Sequence, residues 1–345
     1  MRPLTVGRLL SQCLILAGFL FCVMVVALKF GAIHVSLYGL GRDLLRYFMG
    51  KSTEISSEYS LILNLRLPRI FLGVFVGASL SVAGTSFQAL LRNPLADPYV
   101  LGVSYGAAVG AILALLLEPR LPLSPEIASV FTPLGGFLGA AVAITAVYFL
   151  GRREGRIDSS TLLLGGVITA SLLSAVIMLL LTMVPSSNIR GMAYWLMGGL
   201  SAVPSKPLAR VLWTGFVVAT AVIYSTASDL NLLLSGEKEA MHLGVDVRRV
   251  RLVVYIAASA LTGLAVAVSG TIGYIGLLVP HVMRMIFGAD HRILIPASAF
   301  GGAIAVVFAD TIARTIAAPA ELQVGAITAI AGAPLFIYLL RRRLA

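Results

Sequence analysis

Apolar residues fill long unbroken runs along this chain, and polar residues gather in short pieces between them. The runs lie near 10–33, 70–91, 98–117, 127–150, 160–184, 208–227, 252–270, 275–288, 294–317 and 324–340. They do not alternate with polar positions, which excludes a porin-like barrel. Against the ~20 residues that a helix needs to cross a bilayer, they predict about ten transmembrane helices. Met192 to Leu200 is a shorter apolar piece between Pro185 and Pro204. It is too short to cross and reads as a half-helix at the outer face. The predicted fold is an all-α polytopic membrane protein, with one transmembrane domain over residues 1–345.

Composition points the same way. The chain is 59% hydrophobic and 12% charged, where soluble domains carry about 25% charged residues. The net charge of +11 sits beside apolar spans, so it reports topology and attraction to anionic lipid, not nucleic acid. An even number of spans puts both termini on one side. Starting inside places Arg92, the Arg152, Arg153 and Arg156 cluster, the stretch 229–251, Arg284 with Arg292, and Arg341 to Arg343 in the cytoplasm. That agrees with the positive-inside rule for a multi-pass protein of the bacterial cytoplasmic membrane. Arg2 and Arg8 precede an apolar run too long for a cleaved signal peptide, so it reads as an uncleaved first helix. Cys13 and Cys22 are about 13 Å apart along that helix, too far for a disulfide. The Cys and His residues show no metal-ligand spacing, so no bound metal is expected.

Several basic residues fall on the outer side: Arg42, Arg46, Lys51, Arg66, Arg69, Arg120, Lys206, Arg210 and Arg314. Either an acidic partner arrives there or the charges simply sit in water. Arg66-Leu67-Pro68-Arg69 sets two guanidinium forks on one side of a helix start. They suit acidic side chains or lipid headgroups. Between Asn231 and Arg251 lies NLLLSGEKEAMHLGVDVRRVR. With Asp229 just upstream it holds eight of the chain's 41 charged residues. Gly236 and Gly244 divide it into helix-sized pieces, which suits a docking surface as well as a solvated connection.

Val82-Ala83-Gly84-Thr85 and Val268-Ser269-Gly270-Thr271 occupy matching places in spans of opposite direction, the mark of an inverted internal repeat. The segment 88–98 reads as a tight inner turn, with Asp97 capping the next helix. Gly273 to His281 reads as a broken helix, with His281 in a packing or capping role. Gly50-Lys51-Ser52 lacks the earlier glycine of a phosphate loop, and hydrolase motifs are missing, so the chain is expected to be no enzyme. Scarcity of acidic residues in the spans argues against the alternative, a secondary carrier driven by an ion gradient.

Three segments together resemble the permease subunits of type II ABC importers for iron–siderophores, haem and cobalamin, the FecCD-type family. They are RLPRIFLGVFVGASLSVAGTSFQALLRNPLADPYVLGVSYGA, LNLLLSGEKEAMHLGVDVRRVR and GTIGYIGLLVPHVMRMIFGADHRILIPASAFGGA. The likeness runs from about Leu61 to the C-terminus. It implies a homodimer, or a pair of homologous permeases, carrying two cytoplasmic ATPase subunits and a periplasmic substrate-binding protein. ATP is then used by the partner, and no cofactor is bound by this chain. The substrate it points to first is an iron–siderophore, with cobalamin or haem next. The resemblance makes Arg66, Arg69 and Arg314 the binding-protein contacts. It places the inner gate at Asn93, Leu95, Ser159 and Ser160. It makes the insert the coupling element, through Gly236, Glu237, Glu239, Leu243, Gly244, Val245 and Arg248. On that reading residues 236–250 form two short helices joined at Gly244, with Leu243 and Val245 facing the ATPase. The chain departs from the family in Glu237-Lys238-Glu239 after the coupling glycine, and in Glu321-Leu322-Gln323-Val324-Gly325 before the last span.

Overall fold

The computed structural model describes residues 5–31, 39, 42, 49, 60, 62–153, 156–183 and 186–344. The first helix, α1 (Val6–Lys29), starts where the Thr5 hydroxyl accepts the Arg8 N–H. A π-helical turn, Ile62–Arg66, leads into α2 (Leu67–Leu90), with Pro68 in its first turn. A 3-10 turn over Pro98–Leu101, capped by Asp97, precedes α3 (Val103–Leu117). Ser124 caps α4 (Pro125–Leu150). A minimal hairpin pairs Arg152 with Ile157 before α5 (Ser159–Met183), and α6 (Ser186–Met197) follows. Then come α7 (Lys206–Ser225), α8 (Ala227–Ser235), α9 (Glu237–His242) and α10 (Val247–Ser269). The chain closes with α11 (Ile275–Phe287), α12 (His291–Thr315) and α13 (Val324–Leu344).

Eight of these helices are long and apolar enough to cross a membrane, and α11 and α13 are shorter apolar helices. Each of the ten predicted runs is thus a helix. The half-helix starts earlier than the predicted Met192–Leu200, at Ser186, and stops at Met197, where Gly198 takes a left-handed φ of 72°. Val82 to Thr85 stays inside α2, whereas Val268 to Thr271 crosses the end of α10 at Gly270.

The core is built on α2, whose most apolar window is 89% buried, with α10 at 72% and α12 at 67%. Small residues let these backbones meet, since lipid supplies no hydrophobic drive between helices and packing must. A Cβ on Gly77 of α2 would lie 2.1 Å from the Gly302 carbonyl oxygen of α12. Gly106 and Gly110 of α3 meet Gly135 and Gly139 of α4 in the same way, and a Cβ on Gly110 would stand 2.0 Å from the Gly135 oxygen.

Between α10 and α11 the backbone unwinds over 270–274; the break predicted for 273–281 is met only at its start, since residues from Ile275 on, Pro280 and His281 included, are helical. Gly270 and Tyr274 both take positive φ, 64° and 69°. Polar groups freed inside a membrane need partners. Here the Gly199 N–H donates to Ser269 O at 2.8 Å, and the Ile272 N–H donates to the Tyr99 hydroxyl at 2.9 Å. The Thr271 hydroxyl donates to Leu196 O, and the Gly325 N–H to Gly198 O. The unwound piece is thereby bound to the end of α6 and to the turn before α3, and the end of α6 in turn to the start of α13.

Candidate functional site

At the face where α2 begins, two of the three predicted arginines converge on one carboxylate. Asp310, in α12, is 1% exposed. It accepts from Arg69 at 2.9–3.0 Å and from Arg314, one turn on, at 2.9 Å. Arg69 also reaches Glu321 at 2.8 Å, in the loop before α13. Arg66 donates to the Leu28 carbonyl at 3.0 Å, and Arg314 to those of Ala27 and Phe30 at 3.4 Å. These are carbonyls at the end of α1, left without partners by the helix and suited to cations.

The structure places Arg66, Arg69 and Arg314 on one face, but not as open forks. Arg66 and Arg314 are 8% and 6% exposed. Their charges are engaged by α1 and Asp310 because a buried guanidinium needs such partners. The exposed member of the cluster is Glu321. Sequence reasoning missed Asp310, although its i,i+4 spacing to Arg314 inside an apolar run was a readable signal.

The opposite face carries the insert. Asn93 and Leu95 lie in the turn after α2, where Asn93 Oδ1 accepts the Leu95 N–H at 2.9 Å. Leu95 is exposed. Ser159 and Ser160 open α5 one residue after Asp158, which accepts from the Thr161 N–H and hydroxyl. Within one chain these are two separate turns.

The insert differs from the prediction in two respects. Its two short helices, α8 and α9, are joined at Gly236, not Gly244. Gly236 takes φ 140°, and the Glu239 carboxylate folds over it where a Cβ would stand. Gly244 (φ 88°) ends α9, and Asp246 then caps α10 by accepting the Arg249 N–H at 3.0 Å. Residues from Val247 onward therefore already belong to the span. Leu243 is 65% exposed, as a docking residue must be, but Val245 is 8% exposed and packs into the core. Arg248 is exposed, and Glu237 pairs with the buried Arg251 of α10.

A second polar cluster, not anticipated from sequence, fixes this face. Asn231 of α8 donates to Asp290 at 2.8 Å and accepts the His291 backbone N–H at 2.9 Å. Asp290 caps α12 and grips Arg292 at 2.7 Å. Hydrogen bonds from Arg292, helped by Asn231, hold the Asp290 carboxyl at about 2 against partial burial. Nearby, Arg284 of α11 donates to Gln88 Oε1 at 2.9 Å, and Gln88 Nε2 reaches the Leu277 carbonyl at 3.2 Å. Asp-His-Arg before an apolar run is a legible helix start; its partners on α2 and α8 are not.

Comparison with known proteins agrees with this architecture. The model of the FecCD transport family matches residues 15–342. The hemin transport system permease protein HmuU of Yersinia pestis is 39% identical over 336 residues, 95% of this chain and 96% of its own length. The cobalamin import system permease protein BtuC of Halobacterium salinarum is 43% identical over 280 residues, 81% of this chain and 73% of its own. A solved inward-facing structure described as a metal-chelate type ABC transporter superposes with a TM-score of 0.81 at 28% identity, covering 96% of this chain and 99% of that one. With a family match of that extent on a polytopic helical fold of the same kind, the chain belongs to the FecCD transport family and is a membrane permease of it.

Proposed function

We propose that this chain is the membrane-spanning subunit of an ABC importer for a metal chelate. Two copies, or this chain and a homologous permease, form the pathway. Two ATPase subunits dock on the insert face, which is cytoplasmic, and a periplasmic binding protein delivers substrate to the arginine face. Iron–siderophore is the first substrate class to test, with haem and cobalamin beside it, as the relatives' names suggest.

The observation that carries this reading is the construction of the insert. A loop that merely connects spans needs no anchors. Here α8 is tied to α12 through Asn231, and α9 to α10 through Glu237 and Arg251. Leu243 and Met241 meanwhile stay exposed, at 65% and 48%. A rigid base with an apolar tip suits the transmission of force from a partner. Asp310 is clamped by two guanidinium groups, which disfavours its use as the ion-binding carboxylate of a gradient-driven carrier. On the opposite face, an incoming carboxylate of the binding protein competes with Glu321 for Arg69, while Arg66 and Arg314 hold that surface from beneath.

Reconstitution tests the reading. Proteoliposomes containing the permease, its ATPase and its binding protein should accumulate a ferric chelate, haem or cobalamin only with internal-face ATP. Uptake by the permease alone down an ion gradient would instead establish the secondary carrier.

A further inference from the structure

On the insert face a cavity of about 320 Å³ opens between the end of α2, the end of α11 and the start of α12. Its walls include Gln88, Arg92, Pro94, Leu234, Arg284 and His291. Two of these carry positive charge, and no carboxylate is among the described residues that line it.

His291 is 1% exposed, and its tautomer follows from its partner. Asn231 Nδ2 donates to Asp290, so Asn231 Oδ1 is an acceptor, already taking the His291 backbone N–H. His291 Nδ1, 2.7 Å from that same oxygen, must therefore carry the ring proton. Nε2 of the neutral ring is then an acceptor. It is buried and has no hydrogen-bond partner among the described residues. A buried acceptor without a donor is disfavoured and calls for an occupant.

The two arginines are set for that occupant. Arg284 is held at the wall by its bond to Gln88 Oε1. Gln88 in turn is fixed by the Gly276 and Leu277 carbonyls. Arg92 has φ 50°, at the helix end where the Asn93 N–H reaches back to Gln88 O at 3.1 Å. That left-handed position ordinarily belongs to glycine. An arginine there sets a guanidinium at the cavity mouth at the expense of backbone strain.

We propose that this cavity binds a phosphoryl anion bearing a hydroxyl, either hydrogen phosphate or a phosphomonoester headgroup of a lipid. The anionic oxygens meet Arg92 and Arg284, and the P–O–H donates to His291 Nε2. Sulfate matches the charge but has no proton to give at neutral pH. The proposal stands on the cavity alone and does not depend on the transport reading.

The test uses the full-length chain in nanodiscs of phosphatidylcholine, with or without phosphatidic acid. Inorganic phosphate and sulfate are titrated calorimetrically at matched ionic strength, and retained lipid is read by native mass spectrometry. If the occupant is free phosphate, binding saturates in phosphatidylcholine discs and exceeds that of sulfate by about tenfold, the effect of one charge-assisted hydrogen bond. If it is a headgroup, phosphatidate stays with the wild-type chain through purification. In either case Arg92→Asn, which tolerates left-handed backbone and removes only charge, and His291→Phe, which removes the acceptor, should each weaken binding by about tenfold. Equal binding of sulfate and phosphate with no phosphatidate retention, or binding that both variants leave unchanged, overturns the proposal. Should His291→Phe fail to fold, Arg92→Asn decides alone.

Discussion

Asp310→Asn is the most informative single change in this chain. The carboxylate is 1% exposed and lies 2.9 Å from Arg69 and 2.9 Å from Arg314. At an effective dielectric of about 20, each pair at that distance is attracted by about 6 kcal/mol before desolvation is subtracted. Desolvation removes much of that gain, yet deleting one partner of a buried pair still costs about 3–5 kcal/mol, because the remaining charge stays buried. Here Arg314 loses the anion that balances it beside the end of α1, while Arg69 keeps only Glu321. The neutral isostere should therefore lower the unfolding free energy by about 3–5 kcal/mol. Thermal unfolding in detergent, followed by size-exclusion chromatography, reads this out. Glu126→Gln, at an exposed carboxylate in the first turn of α4, is the control and should stay within about 0.5 kcal/mol. Adding Arg314→Met to Asp310→Asn should recover part of the loss, since the change and its partner are coupled. If Asp310→Asn unfolds with the wild type, the cluster is not a buried electrostatic joint, and the account of the arginines given above is wrong.

Three further outcomes follow from the same geometry. Leu243→Asp, at a side chain 65% exposed, should leave the permease folded but abolish ATP-dependent uptake or loosen the ATPase in pull-down; normal uptake would reduce the insert to a connector. Asp290 has a depressed carboxyl, so its stabilisation is present above the ordinary value of 3.8 and is lost as pH falls from there towards about 2. The difference in unfolding temperature between wild type and Asp290→Asn should accordingly be flat at neutral pH and close over that acid range; a difference that vanished at neutral pH would contradict the network drawn around Asn231. Cysteines placed at Asn93, Leu95, Ser159 or Ser160 should crosslink between paired permeases with a yield that changes on ATP addition, and uniform failure at all four would leave these positions as plain turns.

The spans were legible because membrane helices are written in their own apolar runs, and the ten runs are ten helices. The break after α10 was legible only in part: Gly273 lies in it, whereas Pro280 sits inside α11 without breaking it. What sequence could not give was the partner of each polar group. Arg66 and Arg69 read as outward forks because local pattern shows a helix start but not the α1 carbonyls or Asp310 that close over them. Gly244 was chosen as the joint of the insert on composition alone. Two glycines were available, and the choice between them depends on Asp246, whose capping of Arg249 N–H commits the following residues to α10. Val245 was placed on the outside for the same reason. Its neighbour Leu243 is exposed, and only the packing of α9 against α10 separates the two.

The two clusters gain meaning from the helix that joins them. His291, in the first turn of α12, is held by Asn231 of the insert; Asp310 and Arg314, near its other end, hold Arg69 and the carbonyls of α1. The 25 residues of α12 span about 37 Å at 1.5 Å per residue, the thickness of a bilayer core and part of its headgroup region. Its middle lies against α2 at the Gly77–Gly302 contact, where no side chain can act as a cushion. At that contact α12 and α2 meet backbone to backbone, so a shift of one presses directly on the other. A force applied to α8 therefore reaches the Asp310 cluster through covalent helix and direct hydrogen bonds, with no loop in series. The same construction works in reverse. On the proposed function, a binding-protein carboxylate that draws Arg69 away from Glu321 would act on Asp310, and through it on α12. On that same proposal, α12 is the element that joins the delivery face to the energy face, anchored by polar contacts at both ends.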